Sequence, residues 1–190
     1  MDKEYMEDRH FQGEDFSERR LEKGEYDHCR FSGCNFYNAN LSGILFSECV
    51  FEDCDLSMTK LNDSAFRDVK FKNCKLLGLR FDDCNGFSFS VVFESCTLNY
   101  SSFYRLKLKN TPFRDCKLLE TEFVEADLTN AVFDECDLSG ALFEKTTLEG
   151  ADFRTAYHFS IDPELNRIAK AKFSSQNIAG LLHKYNILIS

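Results

Sequence analysis

Apolar residues recur at every fifth position along most of the chain. Between Phe11 and Phe81, each fifth residue is Phe, Leu or Tyr without exception. The period slips by two residues within 85–92 and resumes at Phe93, after which Phe and Leu alternate strictly as far as Phe153. We call these residues the repeat centres. Neither the 3.6-residue period of an amphipathic helix nor the two-residue period of a long strand describes this spacing.

Small residues recur two positions before the centres, at a position that we call the inner slot. All nine cysteines lie in inner slots, which they share with Ala, Ser and Thr. The other positions of each pentad are mostly polar. In extended backbone the centre and the inner slot point to one side, and the residues flanking the centre point to the other. The pattern therefore predicts flat five-residue segments joined by corners at the second residue after each centre.

The strict alternation of Phe and Leu after Phe93 indicates a four-sided coil in which opposite faces carry the same residue type. Four pentads make a rung of 20 residues, and stacked rungs are about 4.8 Å apart. We therefore predict an all-β solenoid of about eight rungs over 11–173. Residues 1–10 are a lead-in, and residues 174–190 form a separate terminal segment.

The phase break within 85–92 has two interpretations. It is either a local bulge in which Gly86 takes an unusual backbone dihedral, which we favour, or a bend between two columns. In the bulge, Phe87 and Phe89 are expected to be partly exposed. Together with Gly86 they form a candidate contact surface for a partner.

The terminal segment predicts a cap for the last rung, whose backbone and apolar side chains would otherwise be uncovered. After Ser174 or Ser175, the residues Ile178, Leu181, Leu182 and Tyr185 follow the i, i+3, i+4, i+7 stripe of a short α-helix. Residues 187–189 are expected to form a strand.

The charge is unevenly distributed. The formal net charge is −9, yet from Asp162 onward only two acidic residues stand against four basic ones, so the body of the chain is acidic. Such a potential argues against direct binding to nucleic acid and favours basic partners, unless the acids serve solubility alone. The first ten residues are charged where a signal peptide would be apolar, and no apolar run approaches a membrane span. We therefore expect a cytoplasmic protein without membrane contact.

No catalytic constellation is recognisable. The four histidines occupy unrelated positions, and the chain has no glycine-rich phosphate loop. The spacings Cys29-x4-Cys34 and Cys49-x4-Cys54 superficially resemble zinc ligand pairs, but a slot shared with Ala, Ser and Thr indicates selection for small size. Stacked cysteines that point the same way do not suit disulfide geometry. We expect free thiols and no enzymatic activity, metal or cofactor.

The pentads ANLSG at 39–43, ADLTN at 126–130 and CDLSG at 136–140 resemble the A(D/N)LXX pattern of the pentapeptide repeat proteins. This resemblance implies a right-handed quadrilateral β-helix. Many members of the family dimerise through a C-terminal helix and strand. The resemblance therefore implies a homodimer whose interface is formed by Ile178, Leu181, Leu182, Tyr185, Ile187 and Ile189.

The coil, its phase break and the terminal segment are similar to the quinolone-resistance (Qnr) group of this family. These proteins are dimeric rods that resemble B-DNA and engage DNA gyrase and topoisomerase IV. The resemblance implies a DNA mimic that gives quinolone protection, although the longer projecting loops of Qnr-type proteins are missing. The alternative is an interaction scaffold for another partner, without topoisomerase activity. A continuous acidic stripe favours the mimic, whereas patchy alternation of charge favours the scaffold.

Overall fold

The structure, a computed structural model, describes residues 4–87 and 89–188. These residues form short strands and three 3-10 turns, and none of their helical segments is long and apolar enough to cross a membrane. The strands are β1 (Glu4–Glu7), β2 (His10–Gln12), β3 (Gly24–Asp27), β4 (Arg30–Ser32), β5 (Leu45–Ser47), β6 (Val50–Glu52), β7 (Ala65–Arg67), β8 (Val69–Lys72), β9 (Val91–Glu94), β10 (Pro112–Arg114) and β11 (Val132–Asp134). The 3-10 turns span Phe81–Asp83, Ile178–Leu181 and His183–Tyr185.

The strands stack into a four-sided parallel solenoid. We number its faces by the centres of one rung: face 1 by Phe31, face 2 by Phe36, face 3 by Leu41 and face 4 by Phe46. Face 1 carries the sheet β2-β4-β6-β8-β9-β10-β11, and face 4 carries β1-β3-β5-β7. Pairing joins residues 20 apart, as in Phe31↔Phe51, and isolated bridges continue it on the other faces. The all-β prediction is confirmed, but the strand-built part has about six turns rather than eight.

The corners lie where the pentad pattern predicts them. The second residue after nearly every centre has a positive φ, for example Asp53 at 55° and Gly43 at 75°. Left-handed backbone favours Gly, Asn and Asp, which accounts for many of the residues at these corners. One such residue in each pentad turns the chain onto the next face.

The centres fill the interior of the coil. On face 1, Phe rings stack from Phe11 to Phe173 with successive centroids 4.7–5.4 Å apart. Rings on other faces meet this stack edge-on, as Phe103 meets Phe113 at 6.0 Å and 87°. Face-to-face and edge-to-face contacts of this kind add to the hydrophobic stabilisation of each ring. The rings at the centres point inward, and most are fully buried.

The inner slot provides hydrogen bonds as well as space. The Cys54 thiol donates to the Phe31 carbonyl one rung earlier at 3.4 Å and to the Glu52 carbonyl at 3.3 Å. The Ser64 hydroxyl makes the equivalent bond to the Leu41 carbonyl at 2.8 Å. Larger apolar residues also occupy some slots and are buried there: Ile44, Val69, Leu79, Val91 and Leu106. The inner slot therefore does not require a small residue in every pentad.

Cysteine marks one of two kinds of corner. Eight of the nine cysteines lie two residues after the end of a strand: Cys29, Cys34, Cys49, Cys54, Cys74, Cys96, Cys116 and Cys136. Alanine follows the other kind, which we call a tight corner. There the slot residue donates its N–H to the carbonyl of the preceding centre, as Ala126 does to Phe123 at 3.1 Å. Cys84 is the exception, because its N–H bonds to the Phe81 carbonyl.

The phase break is a bulge through which the face 1 sheet continues. β8 pairs with β9 across it, with Phe71 opposite Phe93, and the Ser90 N–H donates to the Phe66 carbonyl at 3.0 Å. The expected role of Gly86 is wrong, because its φ does not lie in the left-handed region. Instead the Asn85 side chain accepts the N–H of Phe87 at 3.0 Å and holds the loop as an Asx turn.

The expected C-terminal α-helix and strand are not found among the described residues. Residues 178–185 form two consecutive 3-10 turns, and Ile187 and Leu188 lie outside any strand. The reason is close packing on the last rung: a Cβ at Gly180 would come within 2.6 Å of the Phe159 carbonyl oxygen. The apolar residues have helical spacing, but the segment lies against the end of the coil, where the Gly180 carbonyl accepts the Ile161 N–H at 3.0 Å.

Candidate interaction surfaces

The C-terminal segment closes the last rung with hydrogen bonds. The Asn177 side-chain amide donates to the carbonyls of Phe153 and Ala156, both at 2.8 Å, and the Ile161 N–H donates to the Gly180 carbonyl at 3.0 Å. The carbonyls of Phe153 and Ala156 belong to the end of the solenoid, where a further rung would otherwise pair with them. The sequence predicted a cap at this end of the coil but not the role of Asn177.

The residues expected at a dimer interface divide into two groups. Ile178, Tyr185 and Ile187 are about half exposed at the C-terminal end. Leu181 packs against the core and Leu182 is partly buried, so both serve the cap first. Ile189 lies outside the described residues. Leu188 is fully exposed and extends the same apolar surface.

An ion-pair cluster anchors this end of the molecule. The Lys184 ammonium contacts the carboxylates of Asp162 and Glu164, both at 2.8 Å. These contacts raise the pKa of Lys184 and lower that of Asp162, because each charge is stabilised by the other. The exposed apolar residues are therefore presented on a segment that is tied to the coil.

The two phenylalanines of the phase break have different surroundings. Phe87 is 77% exposed, whereas Phe89 points inward and meets the rings of Phe66 and Phe81 at 6.2 and 6.0 Å. Gly86 is exposed beside Phe87. Phe89 is thus only partly exposed, and Gly86 and Phe87 form most of the expected contact surface.

Charges of opposite sign alternate along face 1. The residue after the centre is uncharged in the first two rungs and is then, over six successive rungs, Glu52, Lys72, Glu94, Arg114, Asp134 and Arg154. Neighbouring rungs pair through these charges, as Lys72 does with Glu52 at 3.0 Å. Lys70 contacts Glu94 at 2.6 Å, and this contact lowers the pKa of Glu94. These charges recur every 20 residues, or 22 across the phase break, so the pattern was detectable without a structure.

Acidic residues do not form a row along the whole coil. The corner between faces 4 and 1 carries Asp8, Glu48 and Asp68 in its first part, but Asn110 and Asn130 further along. Within 4–87 and 89–188, no column of outward positions is acidic on every rung. The negative charge is thus local and interrupted by bases.

The cysteines are buried and unpaired by disulfides. Burial raises the pKa of the Cys49 thiol to about 12, so it is protonated at neutral pH. A protonated thiol is neither a nucleophile nor a metal ligand. In the part of the chain that the structure describes, no three His, Cys, Asp or Glu residues are arranged to hold a metal ion.

The N-terminal end contains an open cavity of about 460 Å³. Its apolar lining includes Met6, Phe11 and Leu21, and the Arg19 guanidinium lies 5.3 Å from the centre of the Phe16 ring. Among the described residues, nothing comparable to the C-terminal turns covers this end. The two ends of the coil therefore differ in how they are closed.

Comparison with known proteins agrees with the repeat. A model described as a pentapeptide repeat region matches residues 20–103 and 88–180. No curated protein matches the chain at a significant level.

The chain is also similar to several solved structures. Two trypsin-treated variants of QnrB1, a plasmid-mediated fluoroquinolone resistance protein, match with TM-scores of 0.51. One is 20% identical, covering 98% of this chain and 100% of that one; the other is 21% identical, covering 97% and 99%. HetL, from the cyanobacterium Nostoc and involved in heterocyst differentiation regulation, is 17% identical over 90% of this chain and 86% of that one, with a TM-score of 0.46. The family model covers most of the chain, on both sides of the phase break, so this chain belongs to the pentapeptide repeat family.

Proposed function

We propose that this protein is a non-enzymatic interaction scaffold that binds a protein partner on its outer faces. The observation that carries this proposal is the alternation of charge along face 1. A DNA mimic needs rows of like charge in place of phosphates, whereas Glu52, Lys72 and Glu94 alternate in sign and pair with neighbours. A surface of this kind favours recognition by matched charges on a particular protein.

The test of the scaffold is partner capture with a photo-crosslinkable residue on each face. We expect one reproducible protein to crosslink from one face only. The control is the same crosslinker buried at a centre, which should give no product. Identical crosslinking patterns from all four faces would contradict a specific scaffold.

The second candidate is binding of DNA gyrase or topoisomerase IV with protection against quinolones. The similarity in fold to QnrB1, the net charge of −9 and the exposed Phe87 support it. The test is DNA supercoiling by purified gyrase in the presence of a fluoroquinolone. Protection that is lost in Phe87→Ser would favour this candidate, and no effect at saturating protein would eliminate it.

A homodimer through the C-terminal end is part of the proposal. The apolar surface of Ile178, Tyr185 and Ile187 supports it, because a twofold axis brings the same patch of both protomers together and would cover these exposed residues. Light scattering should report a dimer for the native chain and a monomer for Tyr185→Glu combined with Ile187→Glu. Tyr157→Glu, at a similarly exposed tyrosine on face 2, is the control and should stay dimeric. A dimer in the double variant would remove this interface.

A further inference from the structure

Face 1 carries a column of charges that is complementary to itself when it is read in reverse. Over six successive rungs, the residue after the centre is Glu52, Lys72, Glu94, Arg114, Asp134 and Arg154. Glu52 and Glu94 are partly buried, and the other four are exposed. In the reversed series, an acid stands where the forward series has a base, and a base where it has an acid. A second copy of the chain that lies antiparallel on this face therefore meets an opposite charge on all six rungs.

One twofold axis produces this arrangement. It lies between the two faces, along the strand direction, midway between β9 and β10. The rotation keeps each column of outward residues opposite the same column of the other copy and reverses the order of the rungs. The facing pairs are Glu94 with Arg114, Lys72 with Asp134, and Glu52 with Arg154. Because the contact is isologous, each pair occurs twice.

The second outward column of face 1, which precedes the centres, also brings no like charges together. Its facing pairs are Val92 with Pro112, Lys70 with Val132, and Val50 with Asp152. Next to the axis the contact is therefore apolar in this column, where Val92 meets Pro112, and ionic in the other. Apolar residues at the centre of a contact and charges around them are the arrangement found in protein interfaces.

The two corners that border the face are free of like pairs as well. After the face, Asp53 is opposite Thr155, Asn73 opposite Glu135 and Ser95 opposite Asp115; before it, Glu48 is opposite Gly150, Asp68 opposite Asn130 and Ser90 opposite Asn110. The acids at these corners thus all face neutral residues. Beyond the six rungs Arg30 would face Lys172, so the matched surface ends there.

Other arrangements of two copies on this face bring like charges together. A shift of one rung along the coil places acids opposite acids and bases opposite bases throughout the charged column. A shift of two rungs places Asp53 opposite Asp115 in one direction and Lys70 opposite Lys172 in the other. A twofold axis parallel to the coil places Lys70 opposite Lys72. Because like charges in contact disfavour a complex, the surface specifies one orientation and one register.

Ion pairs within the chain do not account for the whole series of charges. In the first part of face 1, Lys72 contacts Glu52 at 3.0 Å, so there the alternation stabilises the stacking of rungs. Arg114 and Asp134 stand on neighbouring rungs further along, but neither makes an ion pair within 4.0 Å with any residue of 4–87 and 89–188. Arg154 contacts an aspartate of its own pentad at 2.7 Å. The alternation of sign thus continues where the chain itself does not use it, as expected of a surface that another molecule matches.

We propose that face 1 is a self-association surface, on which a second copy of this chain docks antiparallel about the twofold axis between β9 and β10. This proposal rests on the scaffold function, because it names the protein whose charges match face 1. The surface is distinct from the C-terminal dimer interface, which lies at the end of the coil.

The size of the face makes this association weak. Six rungs at about 4.8 Å and a flat width of about 10 Å, or three residues, give roughly 300 Å² per copy. A stable interface buries roughly 800 Å² per partner. The contact therefore forms in concentrated protein and is dissociated in the dilute solutions in which the C-terminal dimer is measured.

The test is analytical ultracentrifugation of the purified native chain over a wide range of protein concentration. At about 0.15 M salt, the repulsion between two copies of net charge −9 is screened beyond about 8 Å, whereas the facing side chains are in contact. The mean mass should rise with concentration well above its value in dilute solution. A mass that stays constant up to the highest concentration overturns the proposal.

Charge reversal next to the axis then locates the surface. Glu94→Arg alone and Arg114→Glu alone each place like charges opposite each other twice, and each should weaken the association by about tenfold or more. An equimolar mixture of these two variants should associate again, because every reversed charge then faces an opposite one. Lys72→Glu and Asp134→Lys, at two exposed positions, form a second pair of this kind. If neither mixture associates, the proposal is wrong.

The matched controls reverse charges on other faces. Glu144→Arg on face 3 and Lys107→Glu on face 4 are at exposed positions and change the net charge by the same amounts as the two variants at the axis. Each control should associate on its own as the native chain does. An equal loss in the controls would show that net charge, rather than the pairing on face 1, governs the association, and it would overturn the assignment.

Two further outcomes separate this proposal from the others. If Tyr185→Glu combined with Ile187→Glu abolishes the rise of mass with concentration, the contact lies at the C-terminal end and the proposal is wrong. If crosslinking from face 1 captures a different protein while the purified chain does not associate, the scaffold stands and only self-association falls. If the purified chain associates as described but no face captures another protein, self-association stands and the scaffold for a different partner falls.

Discussion

The coil is packed differently on the two sides of its phase break. In the first half, residues 11–84, every centre of face 1 is Phe and the centres of the adjacent face 4 are Tyr26, Phe46 and Phe66, while face 2 has only Phe16 and Phe36 and face 3 only Phe81. Phe31 meets Phe46 edge-on at 6.0 Å. In the second half, residues 91–173, the aromatic centres stand on the opposite faces 1 and 3, and Phe113 meets Phe123 at 6.0 Å. The first half has two sheets, whereas the second has only the continuation of face 1.

The difference shows that the corner, rather than the centre, decides where strands form. Face 3 of the second half has Phe103 and Phe123 at its centres but no strand, and tight corners follow both. Face 4 of the first half has strands, and Cys29 and Cys49 follow two of them. At a tight corner the carbonyl of the centre accepts the N–H of the slot residue that follows it, as Phe36 does from Ala39, whereas at a strand corner it does not. At both kinds of corner a slot thiol or hydroxyl of the next rung can also donate to that carbonyl, as Cys49 does to Tyr26 and Thr59 to Phe36.

The largest expected effect comes from a charge at a centre of the second half. Phe113→Asp removes a ring stacked between Phe93 at 5.3 Å and Phe133 at 4.9 Å and buries an unpaired carboxylate. We expect a loss of more than about 4 kcal/mol, because this is among the few mechanisms that reach such values. Circular dichroism should show the second half or the whole chain unfolded.

Phe113→Leu is the control and should cost less than about 1.5 kcal/mol, since Leu already fills equivalent centres. Hydrogen exchange would show whether the first half survives alone, as nearest-neighbour stacking allows. Cooperative melting of Phe113→Asp at the native temperature would contradict the packing described here.

A smaller effect is expected from a methyl group in the second sheet of the first half. A Cβ at Gly24 would stand 2.2 Å from the Glu4 carbonyl oxygen, so Gly24→Ala must displace β1 from β3. We expect a local cost of about 1–3 kcal/mol. Amide exchange should accelerate in β1 and β3 and remain unchanged in β9, β10 and β11. Unchanged exchange in β1 would show that the two strands are not held at this distance.

Exchanging the two kinds of slot residue tests the corner rule directly. Cys116→Ala removes the thiol that donates to the Arg114 carbonyl at 3.2 Å, and we expect a loss of about 1 kcal/mol. Ala126→Cys places sulfur in a tight corner and should cost at least as much through overpacking. Chemical denaturation measures both. Ala126→Ser is the control, because Ser64 and Ser101 already occupy tight corners, and it should be nearly neutral.

Much of the fold followed from the sequence because its signal is periodic. The five-residue spacing of Phe and Leu determines which side chains enter the core, and a break such as 85–92 is visible as a change of phase. The C-terminal segment has no such repetition. Its apolar residues fit a helix, but the close packing of Gly180 on Phe159 depends on three-dimensional proximity that spacing does not encode.

The surfaces were less predictable than the core. The alternating charges on face 1 are present in the sequence at intervals of 20 residues. Their alignment in one column becomes apparent only when the rungs are aligned across the phase break, where the interval is 22 residues. The inward orientation of Phe89 and the hydrogen bond from Leu77 to Ser57 required coordinates.

The smallest expected effect is a pH dependence confined to the first half. His28 lies at the corner between faces 4 and 1, with Nδ1 at 3.3 Å from Asp27 and Nε2 at 3.1 Å from Glu48. The hydrogen bond with Asp27 and the charge of Glu48 raise the pKa of His28 above its ordinary value of 6.5. A raised pKa in the folded state means that the stabilisation is complete below about pH 6.5 and is lost as the pH rises through the folded-state pKa.

An NMR titration should therefore show the His28 ring titrating above pH 6.5. His28→Asn, which suits the positive φ of 51°, should flatten the dependence of melting temperature on pH between 6 and 8. His183→Asn, at the capped end, should leave the His28 titration unchanged, and a His28 ring that titrates at or below 6.5 would contradict this geometry.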